Sequence, residues 1–244
     1  MIDLHCHLLP GIDDGPAELS DSVAMAREAS EDGIEAICAT PHIRHDHDVV
    51  IDEIEGRVSE LQAELERQGV AVAVLSGGEV AETAVEGLGE HELRPVRLGE
   101  GEWVLLEPAP GPLSSSLERR VSHLARRGHR SLIAHPERHL SADLPERLAR
   151  LVGEGALVQA TADFFVRSDT APYMLELASR GLVHVLGSDA HSSHGGRPVR
   201  ISHALDALEG VAELREHLDW IARDAPRAIV GGGPLEPPFA PNAS

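Results

Sequence analysis

Short apolar runs alternate along this chain with longer segments in which apolar residues recur every three to four positions. The runs fall near residues 2–5, 34–40, 71–76, 102–107, 131–135, 157–160 and 183–187, lengths that suit strands. The segments 17–32, 50–68, 115–127, 143–154 and 170–180 carry the helical period. Each of these ends at a glycine, namely Gly33, Gly69, Gly128, Gly155 or Gly181. A glycine there is the expected helix stop, because it enters the left-handed region without a Cβ clash. Strands alternating with helices predict a parallel sheet with helices outside it. The economical architecture is a (β/α) barrel of about seven strands, and an open doubly wound sheet is the alternative. A helix at 199–209, a segment at 211–222 and a turn at 223–230 are expected to close the bottom or side. Residues 1–230 then form one domain, and 231–244, which holds four prolines, is expected to be a loose tail.

Composition narrows this picture. At 244 residues with 42% hydrophobic and only 2% aromatic residues, the chain can bury one sizeable core, and that core must be aliphatic. The formal net charge is −20, and all 21 basic residues are arginine. Such a balance argues against a nucleic-acid partner and against an anionic membrane surface, both of which need a cationic stripe. Cys6 and Cys38 lie in apolar strand-like stretches and are expected to be buried thiols outside any disulfide framework. The N-terminus does not read as a signal peptide, and no apolar run approaches the ~18 residues that a membrane span needs. The expected location is the cytoplasm.

The candidate chemistry sits at the strand ends. His5 and His7 close the first run, His42 follows the second, and Glu79 follows the third. Glu107 ends the fourth, His135 ends the fifth, and Asp189 and His191 follow the seventh. In a parallel barrel all strand C-termini open on one face, so these scattered residues are expected to converge there, joined by Asp14 from the first loop. The His-x-His spacing puts both imidazoles on one side of an extended strand, and Asp189-x-His191 repeats it. Cys6, between the two histidines, is expected to point the other way. Five imidazoles and four carboxylates exceed the shell of one ion, so two or three divalent cations fit, with Glu107 as a natural bridge. Three such ions against four carboxylates leave about +2, a charge that attracts a phosphate dianion.

At this point the sequence resembles the PHP (polymerase and histidinol phosphatase) superfamily. The resemblance rests on MIDLHCHLLPGIDDG (1–15), ATPH (39–42), GGE (77–79), LLE (105–107), IAHPER (133–138) and GSDAH (187–191). Within that superfamily it is most similar to the PHP-type protein-tyrosine phosphatases of capsule and exopolysaccharide loci. The resemblance implies a distorted (β/α)7 TIM-like barrel, the PHP fold. It implies metal ligation by His5, His7, Asp14, His42, Glu79, Glu107, His135, Asp189 and His191, with manganese, iron or zinc as the metal. Arg138 and Arg197 match two arginines that grip the substrate phosphate, although the spacing from Asp189 to Arg197 is one residue longer than in the family. The implied reaction is attack on phosphorus by a metal-bound hydroxide. The implied substrate is a phosphotyrosine-bearing protein, such as the tail of a bacterial tyrosine kinase. A phenolate leaving group, with a parent pKa of about 10, needs little help from an acid; His194 is the candidate if one acts.

Other readings compete. A PHP-type phosphatase could act instead on histidinol phosphate or another small phosphomonoester. An amidohydrolase-like metal hydrolase also begins with His-x-His, but its commonest form bridges two metals with a modified lysine, and this chain has none. A non-catalytic metal-binding scaffold is a third reading. Cys38 and Arg44 match the C-x5-R spacing of cysteine-dependent phosphatases, yet Pro41 removes a backbone donor from that loop and no glycine opens it. Arg44, His45 and His47 follow the second strand and could line the pocket mouth, but a solvated loop is the preferred expectation; His91, His123, His129, His203 and His217 are expected at the surface. Asp13 suits either a metal neighbour or a turn, and Asp3 and Ser188 are expected to support the ligands.

Overall fold

The computed structural model describes residues 1–241. Nine short strands appear in chain order: β1 (Ile2–Cys6), β2 (Ala36–Ala39), β3 (His42–Ile43), β4 (Ala73–Ser76), β5 (Glu79–Ala81), β6 (Trp103–Glu107), β7 (Arg130–Ile133), β8 (Leu157–Thr161) and β9 (Val185–Gly187). The helices are α1 (Leu19–Glu31), α2 (Ile54–Arg67), α3 (Glu90–Leu93), α4 (Ser115–Arg126), α5 (Leu144–Gly153), α6 (Ala171–Ser179), α7 (Ser202–Leu208) and α8 (Ala225–Gly231). Every strand pairing is parallel. The strands run β1-β2-β4 in one sheet and β3-β5-β6-β7-β8-β9 in the other.

Two strands are each split, and their second parts lie beyond the expected runs. β2 falls within 34–40 and β3 follows it after a break at Thr40-Pro41, while β4 falls within 71–76 and β5 follows it after a break at Gly77-Gly78. Proline cannot donate to the ladder, and paired glycines bend it. Each break passes the chain from one sheet to the next, so the two sheets form one curled layer. The curl closes from β9 back to β1: the Asp189 amide donates to the His5 carbonyl at 2.8 Å and the His7 amide to the Ala190 carbonyl at 2.9 Å.

The expected helix stops hold, with Gly33 at φ +80° and Gly128 at +82°. A smaller apolar cluster inside the curl takes Leu4 from β1, Cys38 from β2, Leu105 from β6, Leu132 from β7, Leu157 from β8 and Val185 from β9. A larger cluster packs the helices outside it, and Cys6 belongs to that one. The register slips between Asp3 and Cys6, which is how β1 can serve the inner cluster through Leu4 and the outer one through Cys6.

The segment expected as a turn at 223–230 is instead a π-helical turn, Trp220–Asp224, running into α8. Its Ile229 joins the inner cluster and its backbone comes so close to Gly101 that a Cβ there would lie 1.8 Å from the Ile229 carbonyl oxygen. Beyond α8 the described residues lack regular structure, but Leu235 is buried and Phe239 packs against His184, His217 and Trp220. The tail expected over 231–244 is therefore docked through its described part; residues 242–244 lie outside the described residues.

Candidate metal centre

Parallel pairing brings every strand C-terminus to one face, and the nine sequence candidates gather there. They form four overlapping groups whose ligand atoms lie within 4.8 Å of one another: His7, Asp14, His42 and His191; His5, His135 and Asp189; His5, His7 and Glu79; and His42, Glu79 and Glu107. Ligand atoms about 2.0–2.3 Å from one ion are separated by no more than roughly 4.6 Å, so the spacing is that of ligand shells.

Glu79 occupies the centre. Its Oε2 lies 3.4 Å from His5 Nε2, 3.2 Å from His7 Nε2 and 3.0 Å from His42 Nδ1, while its Oε1 lies 2.6 Å from His135 Nε2. Glu107, expected as the bridge, stands at the edge, 3.9 Å from His42 and 3.1 Å from the Arg44 guanidinium. The register explains the exchange: Glu79 pairs with Leu105 and Ala81 with Glu107, so Glu107 sits two residues further up the sheet. Asp14 reaches in from the first loop, with Oδ1 3.5 Å from His42 Nε2 and 3.4 Å from His191 Nε2.

The orientation of the rings is fixed from behind. His5 Nδ1 contacts Gln159 Oε1 at 2.9 Å, and His7 Nδ1 contacts Asp13 Oδ2 at 2.8 Å. His191 Nδ1 lies 3.0 Å from the Asp189 carbonyl. These contacts turn each Nε2 toward the centre. Asp13 also takes the His42 and Gly15 amides, so it is both turn and support. Asp3 accepts from the amides of His5 and Ser188 and ties β1 to the Asp189 loop. Gly187 is required beside His5, since a Cβ there would lie 2.8 Å from both His5 Cβ and Gln159 Nε2. His135 (φ +31°) and Asp189 (φ +49°) are the non-glycine residues with positive φ among the described residues. Such strain costs on the order of 1–3 kcal/mol and persists where the surroundings impose it.

The electrostatics suit cations. His5 Nε2, His7 Nε2, His42 Nδ1, His135 Nδ1 and Glu79 Oε2 are all buried with no hydrogen-bond partner; each such group left alone costs about 1–3 kcal/mol. Burial, then the charge on Glu79, pushes the Glu107 carboxyl up. Burial draws His135 down to about 4, and burial with the nearby His7 does the same to His191; both present free lone pairs at neutral pH. Burial opposes charge on His7 too, but Asp13 and Glu79 outweigh it and hold the proton up to about 10. A cation bound there must displace that proton. The orphaned nitrogens and clustered carboxylates therefore fit a multinuclear divalent site.

Above the nest opens a cavity of about 330 Å³ lined by Asp14, His42, Arg44, Arg138, His191, Gly195, Gly196 and Arg197. Arg138 hydrogen-bonds Asp189. Arg197 Nη2 lies 3.1 Å from Asp189 Oδ1, and its Nε donates to the Asp189 carbonyl at 2.7 Å. His194 sits mostly exposed, 3.0 Å from Asp21, and His139 contacts the Gly111 carbonyl at 2.8 Å. Sequence reasoning missed Gln159, which carries no signal inside an apolar strand. Between the pocket mouth and a solvated loop, it preferred the loop for Arg44, which in fact lines the cavity. His129, expected at the surface, is buried against Glu90. Cys38 is fully buried, with its thiol pushed well above the usual range by burial. Cys38→Ser is therefore expected to leave phosphatase turnover unchanged in a phosphotyrosine peptide assay; loss of turnover with metal content intact would revive the cysteine route.

The fold and site together define a parallel α/β protein with a histidine- and carboxylate-rich centre at its strand ends. The chain belongs to the capsular polysaccharide synthesis CpsB/CapC family, whose model matches residues 1–230. It is 33% identical over 203 residues to the tyrosine-protein phosphatase YwqE of Bacillus subtilis, covering 79% of this chain and 78% of that protein. It is 28% identical over 251 residues to the tyrosine-protein phosphatase CpsB of Streptococcus pneumoniae, covering 94% and 98%. A chain from the crystal structures of these two proteins, described as unique metal-dependent tyrosine phosphatases, superimposes with a TM-score of 0.84 at 27% identity over 100% of both chains. A β-aspartyl dipeptidase from Fervidobacterium islandicum aligns at a TM-score of 0.59 and 14% identity over 94% of this chain and 72% of the dipeptidase, a likeness of fold alone.

Proposed function

We propose that this protein is a metal-dependent protein-tyrosine phosphatase, a hydrolase of the phosphotyrosine monoester. The observation that carries this reading is the nest of nine candidate ligands beneath a cavity that three arginines line. The family and the named relatives support it. Counting each split strand once, the curled sheet is a distorted (β/α)7 TIM-like barrel of the PHP type.

His5, His7, Asp14, His42, Glu79, Glu107, His135, Asp189 and His191 would hold two or three divalent ions, with manganese preferred over iron and zinc. Such ions would supply Lewis acidity, activation of water and neutralisation of phosphate charge. The chain's own groups do the rest. Gln159 and Asp13 hold the His5 and His7 rings in register. Arg138 and Arg197, both reaching the cavity from Asp189, are placed to grip the nonbridging phosphate oxygens through charge-assisted bonds. The phenolate of tyrosine leaves without a strong acid, which fits an exposed His194 paired with Asp21 and absent from the cavity lining. The absence of lysine and the central place of Glu79 speak against the amidohydrolase form.

The substrate we infer is a phosphotyrosine-bearing tail of a bacterial tyrosine kinase, in regulation of capsule or exopolysaccharide. The site of action would be the cytoplasm; among the described residues no helix is long and apolar enough to cross a membrane. The test is a substrate panel of phosphotyrosine peptide, histidinol phosphate and nucleotide monophosphates, with and without chelator. The peptide is expected to be hydrolysed fastest, with activity lost on chelation and restored by manganese. Full activity in metal-stripped protein, or a preference for histidinol phosphate, would overturn the reading.

A further inference from the structure

Three guanidiniums line the cavity above the nest, and each leans on a candidate ligand carboxylate. Arg138 and Arg197 pair with Asp189. Arg44 stands in the same relation to Glu107, with Nη1 3.1 Å from Oε1. Its position follows from the strand. Arg44 comes directly after β3 and two residues after His42, and both side chains line the cavity. The other edge of its fork is taken: Arg44 Nε donates to Asp46 Oδ1 at 2.8 Å and Nη2 to Asp46 Oδ2 at 2.9 Å. A planar guanidinium clamped along one edge presents its remaining nitrogen in a fixed direction. Here that nitrogen is Nη1, directed at Glu107 and the cavity. The side chain is only 28% exposed, unlike a freely solvated loop arginine.

We propose that Arg44 is a third phosphate-binding residue of this site, completing an arginine triad with Arg138 and Arg197, and that Asp46 is the positioning residue that aims it. This rests on the phosphatase reading of the site. An oxyanion in the cavity faces guanidinium on two sides: Arg138, from the segment after β7, and Arg197, both paired with Asp189, and Arg44 from the Glu107 side. The alternative is that Arg44 serves only as counter-ion to Glu107. The two roles separate by experiment, because a counter-ion competes with a cation for Glu107, whereas a phosphate ligand adds to anion affinity.

The measurement is calorimetric titration of the manganese-loaded protein with inorganic phosphate, alongside its metal content and its kinetics on a phosphotyrosine peptide. Loss of one charge-assisted contact predicts that Arg44→Gln weakens phosphate binding by about 10- to 100-fold and raises KM, with metal content unchanged. Arg44→Lys, which cannot reproduce the fork to Asp46, is expected to recover only part of this. Asp46→Asn is expected to weaken phosphate by a smaller factor, about 2- to 5-fold. Unchanged phosphate affinity in Arg44→Gln, or a gain in metal affinity as its sole effect, would overturn the proposal. If the wild-type protein binds phosphate but hydrolyses no phosphotyrosine, the phosphatase reading falls, and the calorimetry still decides the role of Arg44.

Discussion

Glu79→Gln is expected to strip at least one equivalent of bound metal and to lower phosphotyrosine turnover by a factor on the order of 10³. Glu79 is fully buried and touches four imidazoles at once. His5 first, then His135 and His42, outweigh its burial and hold its carboxyl well below the usual carboxylate range. Glutamine keeps the shape but supplies one neutral oxygen and an amide that donates toward histidines meant to offer lone pairs. The nest then loses its central negative charge and gains a repulsive contact. Metal analysis of the purified variant and kcat at saturating manganese check this together. Full metal content with turnover within tenfold of wild type would show that Glu79 is not the central ligand.

The second large effect concerns stability. His184, fully buried, accepts the Val158 amide on Nδ1 at 3.2 Å, and its Nε2 is buried without a partner. Burial draws its pKa down to about 3, against about 6.5 in the unfolded chain. The folded state therefore keeps His184 neutral while the unfolded state takes up a proton. Its contribution is complete above pH 6.5 and declines as pH falls toward 3. From pH 7 to pH 5 the loss is about 2 kcal/mol. Urea midpoints measured across that range in chelator should fall with acidification in the wild type. In His184→Gln, which keeps the acceptor but cannot titrate, the fall should be smaller by about that amount. Equal slopes in the two proteins would exclude His184 as the source.

The strand and helix order was readable because the signals are local. Apolar runs of four to seven residues, separated by helical periods that stop at glycine, leave few topologies for a parallel sheet. The splits at Thr40-Pro41 and Gly77-Gly78 were not readable, since they depend on how the two sheets meet rather than on the residues alone. The same holds for α8, which lies in the segment 223–230 expected as a turn and docks against Gly101. For the site, residue types that bind metals announce themselves at strand ends, which is how the nine candidates were found. Their ranking was not so accessible: a two-residue offset in register decides that Glu79 lies central and Glu107 at the edge. Gln159 and Arg44 are common residues whose roles come only from what faces them across the curl.

The closure of the curl by β9 against β1 has a consequence for the order of events during synthesis. His5 and His7 emerge first, and roughly 180 residues separate them from Asp189 and His191. At ordinary translation rates that interval is about 10 to 40 s. Through it the N-terminal strand has no parallel neighbour on one side, and its histidines lack the carboxylate that completes their group. The groups that contain Asp189 and His191 can therefore be completed only after β9 has emerged, and a chain arrested before its last strand would be released with an open seam and those groups unfinished.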